Sequence, residues 1–241
     1  MRWDQVLALP AFIINLDRRY AERYDKCLER VRAAGFTDIR RWQAVDATTE
    51  NLDTHWEQHG SPTLNSSDEE FYTSYKGKQG CFLSHAHLLK YALGAGIKQF
   101  VVFEDDVMFH PDWDIYAPLF WESTMPMPDL VYLGAQIEIP QTQQRVVKAP
   151  CFCTHAMLYT NPRKIYDSLI NMPGGPRTID CCLIDYQWAM LKSPELKVFS
   201  WACWDARGLG AVAGENPGWI KRNCGLVFQD ETYGSDVRPW P

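Results

Sequence analysis

The sequence predicts an α/β protein with a mostly parallel sheet flanked by helices, folded as a single domain over residues 1–241. Apolar segments typical of buried strands alternate along the chain with segments whose apolar residues recur at helical spacing. The composition agrees with a large core, because 46% of the residues are hydrophobic and 22% are charged. A length of 241 residues suits one domain better than two.

The first β-α-β unit lies near the amino terminus. Residues 11–16, "AFIINL", form an apolar run between Pro10 and Asp17, which is typical of a strand buried on both faces. Residues 18–35 have the spacing of an amphipathic helix, and "IRRWQAV" at 39–45 predicts the next strand. Strands joined by a helix in this way pair in parallel with a right-handed crossover.

The remaining elements alternate in the same way. A polar, nonperiodic segment at about 47–78 predicts an insertion or lid, since long structureless loops in compact domains are commonly binding loops. The elements that follow are predicted as helix 79–93, strand 99–103, strand 129–134, strand 151–160, helix 161–172, helix 179–191 and strand 197–204. The Gly- and Pro-rich residues from about 205 to 241 predict an irregular tail.

The charge balance excludes several kinds of partner. The formal net charge is −6 and the isoelectric point is about 5.5, which argues against a nucleic-acid or anionic-membrane surface. No apolar run approaches the roughly 20 residues that cross a bilayer, and the first residues lack the pattern of a signal peptide. We therefore expect a cytoplasmic protein without a transmembrane segment, and peripheral attachment to a membrane stays open.

The eight cysteines offer no C-x-x-C pair, so the sequence gives little support for a structural zinc site. Without an export signal, disulfide bonds are disfavoured. We expect the cysteines to be buried free thiols.

Three consecutive carboxylates, Glu104, Asp105 and Asp106, directly follow the strand predicted at 99–103. In open α/β sheets, ligands bind beyond the carboxyl ends of the strands, where this cluster lies. In an extended chain Glu104 and Asp106 point to one side and Asp105 to the other, and two such carboxylates can hold one Mg²⁺ or Mn²⁺. The residues alone leave two interpretations open, a solvated acidic turn and a divalent-cation site.

Four short motifs occur in one order along the chain. They are "FIINLDRR" at 12–19, "AVDA" at 44–47, "GKQGCFLSH" at 77–85 and "VVFEDDV" at 101–107, and they are followed by "CTHAMLYTNPRKIYDSL" at 153–169 and "IDCCLID" at 179–185. This ordered set resembles glycosyltransferase family 25, which includes lipooligosaccharide β-galactosyltransferases and collagen galactosyltransferases. The resemblance covers roughly residues 11–190.

The resemblance implies a GT-A-like (Rossmann-like) fold and an inverting hexosyltransferase. The implied donor is a UDP-sugar, UDP-galactose or UDP-glucose, and the implied acceptor is a hydroxyl group of a glycan, glycolipid or protein. The implied cofactor is Mn²⁺ (or Mg²⁺), held by a D-x-D-type motif.

The resemblance also implies roles for particular residues. Residues that match the first four motifs are expected to bind the nucleotide sugar: Asn15, Asp17, Arg18, Asp46, Ser84, Glu104 and Asp105. Within this set Arg18 would face phosphate, and Asp46 would bind ribose hydroxyls or the uracil N–H. The metal ligands would be Glu104 and Asp106, with His155 as a later third contact, although a packed strand histidine is an alternative for His155.

The general base is expected at Asp180, which matches the late acid of the family, and Asp105 is placed with it in the catalytic group. Surface helix acids remain an alternative for Asp180 and Asp185. His85 and His87 point about 200° apart on a regular helix and so cannot hold one metal ion. We expect His85 to be a hydrogen-bonded, half-buried histidine.

Two other functions remain open. A nucleotidyltransferase also joins a Rossmann-like sheet to metal-bound acids, but it would normally carry a Gly-rich triphosphate loop, and "INLDRR" contains no glycine. A catalytically silent nucleotide-sugar-binding protein would keep the fold without the reaction. Turnover of a nucleotide sugar with manganese distinguishes the silent protein from the enzyme.

Overall fold

Helices and strands are interspersed along the described part of the chain, and they alternate one by one up to residue 43. The computed structural model describes residues 1–16, 21–60, 76–122, 124, 127–140, 152–171, 178–183, 186, 199–200, 211–213 and 219–230. The strands in this part of the chain are β1 (Pro10–Asn15), β2 (Asp38–Gln43), β3 (Phe100–Glu104), β4 (Val107–Phe109), β5 (Leu130–Pro140), β6 (Phe152–Tyr159), β7 (Phe199–Ser200), β8 (Ala211–Ala213), β9 (Trp219–Gly225) and β10 (Val227–Gln229). The helices are α1 (Trp3–Leu7), α2 (Ala21–Ala33), α3 (Leu52–Glu57), α4 (Lys76–Gly94), α5 (Trp113–Glu122) and α6 (Pro162–Ile170), and residues 179–183 are also helical.

Within the described residues, eight strands form one mixed sheet with the order β2-β1-β3-β6-β5-β9-β8, and β7 pairs with β5. Strand β1 lies between β2 and β3 and pairs in parallel with both, so the predicted parallel arrangement occupies this half of the sheet. From β3 onward the neighbours β6, β5, β9 and β8 pair antiparallel. Strands β4 and β10 form a separate antiparallel pair. The α/β class is confirmed, and the parallel pairs are those of β1 with β2 and β3 and that of β5 with β7.

Helices cover both faces of the sheet. Phe12 and Val102 pack with side chains of α4 and α6, whereas Ile13 and Val101 pack with side chains of α2 and α5. Successive residues of a strand point to opposite faces, so β1 and β3 bury both sets of side chains. This double burial explains why both strands appear in the sequence as continuous apolar runs.

Capping residues that are visible in the sequence mark the end of helix α2 and the start of helix α6. Helix α2 ends just before Gly35, whose φ of 95° is a left-handed conformation that glycine adopts at little cost. Helix α6 begins after Asn161, whose side chain accepts a hydrogen bond from the backbone N–H of Lys164 at 3.3 Å, and Pro162 occupies its first turn. Within the described residues, both helices confirm the elements predicted at 18–35 and 161–172, while residues 17–20 and 172 lie outside the described part.

Two segments predicted to be irregular contain regular structure. The segment at 47–78 includes α3 and the start of α4, while residues 61–75 lie outside the described part. Helix α3 forms because the Asn51 side chain accepts a hydrogen bond from the Asp53 N–H at 3.1 Å and because Trp56 is buried. The prediction of an irregular tail at 205–241 is wrong for 211–213 and 219–229, because β8, β9 and β10 find partners in β5, β4 and one another.

Two further expectations concern cysteines and membranes. The described cysteines form no disulfide bond, as predicted. The predicted burial holds for Cys27 and Cys182, whereas Cys81, Cys153 and Cys181 are half-buried. Within the described residues, no helix has the length and apolar character needed to span a bilayer.

A row of hydrogen-bonded side chains joins α3, α4 and α6. The His55 Nε2 lies 2.9 Å from a carboxylate oxygen of Glu50, and the His55 Nδ1 lies 2.9 Å from the His87 Nε2. The His87 Nδ1 lies 3.1 Å from the His59 Nε2, and the His59 Nδ1 lies 2.9 Å from the Tyr166 hydroxyl. When all three rings are neutral, one arrangement of protons satisfies every link, with each N–H pointing towards Glu50.

This row predicts that the protein loses stability as the pH falls. Burial, reinforced by charge on neighbouring histidines and Lys90, lowers the pKa of both His59 and His87 from 6.5 to about 4. In the folded state both rings therefore stay neutral down to about pH 4, whereas in the unfolded chain they bind protons below about pH 6.5. The free energy of unfolding should be highest above pH 6.5 and should fall by about 2 kcal/mol towards pH 4, after allowance for solvent screening.

Urea unfolding at several pH values measures this effect. A His87→Gln variant should show a shallower pH dependence than the parent protein between pH 6.5 and 4.5. A His110→Gln variant, which changes a histidine outside the row, should keep the parent slope. An unchanged slope in His87→Gln would show that the row does not control stability.

Candidate active site

The candidate site lies where β1 and β3 end. These strands run in parallel, with Ile14 opposite Glu104 in the register, so their carboxyl ends meet at one edge of the sheet. Asn15 is the last residue of β1 and Glu104 is the last residue of β3. The acidic cluster predicted from the sequence therefore occupies the edge at which open α/β sheets bind ligands.

Glu104 faces helix α4 and the start of β6. The Thr154 hydroxyl donates to the Oε1 of Glu104 at 2.6 Å, and the Nε2 of His85 lies 3.4 Å from the same oxygen. Burial by itself would raise the pKa of Glu104, but the hydrogen bond and charge of His85, with the Thr154 bond, hold this pKa below its ordinary value. Glu104 is therefore a carboxylate. His85 is hydrogen-bonded, as the sequence predicts, but it is fully buried and not half-buried.

Asp105 and Asp106 lie on another side, close to Arg23 of α2. Arg23 forms ion pairs with Asp105 at 2.7 Å and with Asp106 at 3.4 Å. The Asn15 side-chain amide donates to Asp105 at 2.6 Å. The predicted alternation, with Glu104 and Asp106 on one side and Asp105 on the other, is wrong. Strand β3 ends at Glu104 and the next two residues form a turn into β4, so the extended geometry does not continue.

Asp106 carries a buried oxygen that no described residue satisfies. Its Oδ1 is inaccessible to solvent and accepts no hydrogen bond within the described part of the chain, while its Oδ2 lies 3.4 Å from Arg23 and 3.5 Å from the Gln229 amide. Burial, together with the charges of Glu104 and Asp105, raises the pKa of Asp106 to about 7, and Arg23 opposes this shift. A cation at the Oδ1 would supply the missing partner.

His155 shows a matching feature on β6. Its Nε2 lies 3.1 Å from the carbonyl oxygen of Val227, which can only accept, so the Nε2 carries the proton. Its Nδ1 is therefore unprotonated and carries a lone pair. This atom is buried without a hydrogen-bond partner among the described residues. A ligating histidine commonly donates its other ring N–H to a backbone carbonyl in this way. Gly134 permits the close approach, because a Cβ there would overlap the Val227 carbonyl.

Asp106 and His155 offer unpartnered donor atoms of the kind that a divalent cation binds. Asp106 and His155, two of the three predicted ligands, carry the unpartnered Oδ1 and Nδ1, and the charge of the third, Glu104, acts on both. Carboxylate oxygens suit both Mn²⁺ and Mg²⁺, and the imidazole favours Mn²⁺ because Mg²⁺ is the harder cation. Within the described residues, the ligand atoms of Glu104, Asp106 and His155 do not all lie within 4.8 Å of one another, so they would have to come closer together to hold Mn²⁺.

The motifs at 44–47 and 77–85 lie against each other, and their contacts hold the loop that follows β2. Ser84 accepts a hydrogen bond from the Val45 N–H at 2.8 Å and donates to the Gly80 carbonyl at 2.6 Å. A Cβ on Gly80 would come within 2.7 Å of the Val45 carbonyl oxygen. Asp46 accepts from the Thr48 N–H at 3.0 Å and the Thr48 hydroxyl at 2.6 Å. The nucleotide-binding roles predicted for Ser84 and Asp46 stay predictions, and the bonds of both residues order this loop.

Asp180 lies in the helical residues 179–183, and its Oδ1 accepts from the Cys181 N–H at 3.2 Å. Its charge is among the causes that raise the pKa of the half-buried Cys81, after burial itself and the charge of Glu104. Asp180 and Glu104 therefore both act on the thiol of Cys81. Asp17 and Arg18, predicted to bind the donor, lie outside the described residues, as does Asp185.

The structure adds residues that the sequence analysis did not single out. Arg23 neutralises two of the three acids, and Thr154 donates to the third. Cys153, directly before Thr154, is the one non-glycine residue in the described part with positive φ, at 69°. Strain of this kind concentrates at functional sites. No pattern in the sequence marked Arg23, because it is one of several cations spaced along an amphipathic helix.

Comparison with known proteins identifies the family to which this chain belongs. The family model described as "Glycosyltransferase family 25 (LPS biosynthesis protein)" matches residues 8–168. The chain therefore belongs to glycosyltransferase family 25, as the resemblance predicted.

The curated relatives it matches are far longer proteins. The "probable inactive glycosyltransferase 25 family member 3" of Rattus norvegicus is 33% identical over 81 residues, which cover 32% of this chain and 14% of the rat protein. The "inactive glycosyltransferase 25 family member 3" of Mus musculus is 33% identical over 82 residues, covering 33% of this chain and 14% of the mouse protein. The match thus spans about a seventh of these relatives.

One solved structure with a related shape is a glycosyltransferase involved in glycosylation of the major capsid of PBCV-1. It is 9% identical, with a TM-score of 0.41, over 83% of this chain and 95% of that chain. At that identity and TM-score, the likeness says nothing about activity.

Proposed function

We propose that the chain is a metal-dependent inverting glycosyltransferase. It would move a hexose, galactose or glucose, from a UDP-sugar to a hydroxyl group of a glycan, glycolipid or protein. The observation that carries the proposal is the pair of buried, unpartnered atoms, the Oδ1 of Asp106 and the Nδ1 of His155, beside Glu104 in a family 25 chain. These three residues would hold Mn²⁺ (or Mg²⁺), which when bound supplies positive charge for the departing diphosphate.

Neighbouring residues support this arrangement. Arg23 offsets part of the repulsion between Asp105 and Asp106, which helps the acids to stay close together in a buried site. Asn15 fixes Asp105 through its amide, at the edge of the sheet where a nucleotide would lie. Asp105 is thereby suited to bind the donor, and it belongs to the proposed nucleotide-sugar contacts with Glu104.

The proposed reaction is a single displacement at the anomeric carbon. The Asp180 carboxylate takes the proton of the acceptor hydroxyl, the acceptor oxygen forms a bond to the anomeric carbon, and the bond from that carbon to the UDP oxygen breaks. UDP leaves with the electron pair, and the configuration inverts. Asp180 is suited to this role because it is partly exposed and because its charge, like that of Glu104, acts on Cys81.

A second candidate is a catalytically silent nucleotide-sugar-binding protein. It is favoured by the names of the rat and mouse relatives, which describe them as inactive. Against it stand the three acids, Glu104, Asp105 and Asp106, all of which are present in this chain.

Slow donor hydrolysis tests both candidates. The chain is incubated with Mn²⁺ and a panel of UDP-hexoses, and released UDP is measured with and without a chelator. The transferase proposal expects one donor, UDP-galactose or UDP-glucose, to be hydrolysed faster than the others, and chelator to stop the release. Binding by calorimetry without turnover of any donor would support the silent protein, and absence of both binding and turnover would contradict both candidates.

A further inference from the structure

Glu104 has a second set of neighbours that the proposed transferase reaction does not use. Cys81 and His85 are four residues apart on α4, so they lie on one face of the helix, one turn from each other. Glu104 at the end of β3 meets this face. The thiol sulfur of Cys81, a ring nitrogen of His85 and a carboxylate oxygen of Glu104 all lie within 4.8 Å of one another. Among the described residues, this is the one group of three potential ligands that converges so closely.

The chemistry of these three side chains selects the kind of ion. A thiolate and an imidazole are ligands for Zn²⁺ and related softer cations, whereas Mg²⁺ takes oxygen ligands. Three protein ligands with one position left open to water or a bound molecule form the usual coordination of a zinc ion that is not purely structural. The set therefore differs in chemistry from Asp106 and His155, and Glu104 is the residue common to both.

The surroundings also suit a bound cation. His85 is 2% exposed, so the surrounding side chains fix the position of its ring. The hydroxyl of Thr154 donates to the Oε1 of Glu104 at 2.6 Å and fixes the orientation of that carboxylate, as partners of metal ligands commonly do. The charge of Asp180 reaches Cys81 as well. Two carboxylates near one thiol and one imidazole give the negative charge that attracts a divalent cation.

We propose that Cys81, His85 and Glu104 form a binding site for Zn²⁺ or a cation of the same class. On binding, the sulfur of Cys81 forms a bond to the metal and its proton leaves to solvent. The site needs neither donor nor acceptor, so it stands independently of the transferase proposal. Because Glu104 is shared, an ion bound here would draw this carboxylate away from Mn²⁺.

Titration of the chelator-treated protein with Co²⁺ tests the site directly. Cobalt bound by a thiolate gives a charge-transfer band in the near ultraviolet, and one equivalent of Co²⁺ should saturate it, with Zn²⁺ then bleaching it. Cys81→Ser and His85→Gln should each weaken Co²⁺ binding at least tenfold and remove the charge-transfer band or reduce its intensity. The matched control Cys182→Ala, which changes a buried cysteine of the same hydrophobic core, should keep the parent spectrum.

A measurement on the parent protein covers the case in which a variant does not fold. X-ray absorption of the zinc-loaded chain should show one sulfur and several nitrogen or oxygen atoms as ligands. A first shell without sulfur, or a charge-transfer band that survives in Cys81→Ser, would overturn the proposal. Neither outcome would change the result of the donor-hydrolysis experiment. The zinc-site proposal can therefore be refuted without refuting the transferase proposal.

Discussion

Asp106→Asn is expected to remove most of the metal-dependent binding of UDP and with it the transfer reaction. The change deletes one negative charge while nearly preserving shape, and Arg23 keeps its 2.7 Å ion pair with Asp105, so the fold should persist. Loss of a direct ligand should cost more than the 10- to 100-fold in metal affinity that is typical of losing a supporting partner, about 10²-fold or more. Calorimetry of UDP binding with Mn²⁺ and with chelator measures the effect.

The matched control is Asp114→Asn, which removes the same charge from an exposed position on α5. It should bind UDP and Mn²⁺ as the parent does. If Asp106→Asn kept the parent affinity in Mn²⁺, or if the parent bound UDP equally well in chelator, the proposed metal site would be refuted.

Asp180→Asn should slow transfer by about 10²–10⁴-fold, the usual consequence of losing a positioned general base. UDP affinity should stay almost unchanged, because this acid is proposed to act on the acceptor hydroxyl and not on the phosphates. The two variants therefore separate the two roles, since Asp106→Asn loses binding and rate together and Asp180→Asn loses rate alone. Steady-state transfer to a hydroxyl acceptor, with calorimetry of UDP on the same preparation, makes the comparison.

A suitable control for Asp180→Asn is Asp167→Asn on α6, a half-exposed acid away from the site. It should transfer at the parent rate. Turnover by Asp180→Asn within a few-fold of the parent would place the base elsewhere, and Asp185 and His155 would then be the next residues to change.

The sequence was most informative where one physical rule dominates. The apolar run of β1, the spacing of α2 and the Asn161 cap of α6 each depend on neighbours a few residues away, and each was predicted correctly. The position of Glu104 at a strand end followed from the same reasoning, since strand and charge are adjacent in the chain. Local patterns therefore placed the acidic cluster at the correct edge of the sheet.

The sequence was least informative about contacts between distant segments. The turn at Asp105 and Asp106 replaced the expected extended chain, and the side chains are held by Arg23, more than 80 residues earlier. The carbonyl that orients His155 belongs to Val227, in a segment expected to be irregular. Short strands such as β10 form because a partner strand is available in the fold, and no local pattern in Gly- and Pro-rich sequence reveals that partner.

The pairing of β10 with β4 decides when this site becomes complete during synthesis. Arg30 binds Asp230 at 2.9 Å, and the Asp230 N–H donates to the Asp106 carbonyl at 2.6 Å, so the acidic turn is closed by a residue that follows Asp106 by more than 120 positions. A nascent chain ending near residue 168 already contains the whole region matched by the family model, yet it lacks the carbonyl of Val227 that sets the proton position of His155. Such a chain can form the parallel pairs of β1 with β2 and β3 early, but β9 and β10 have to be made before the proposed ligands are in place.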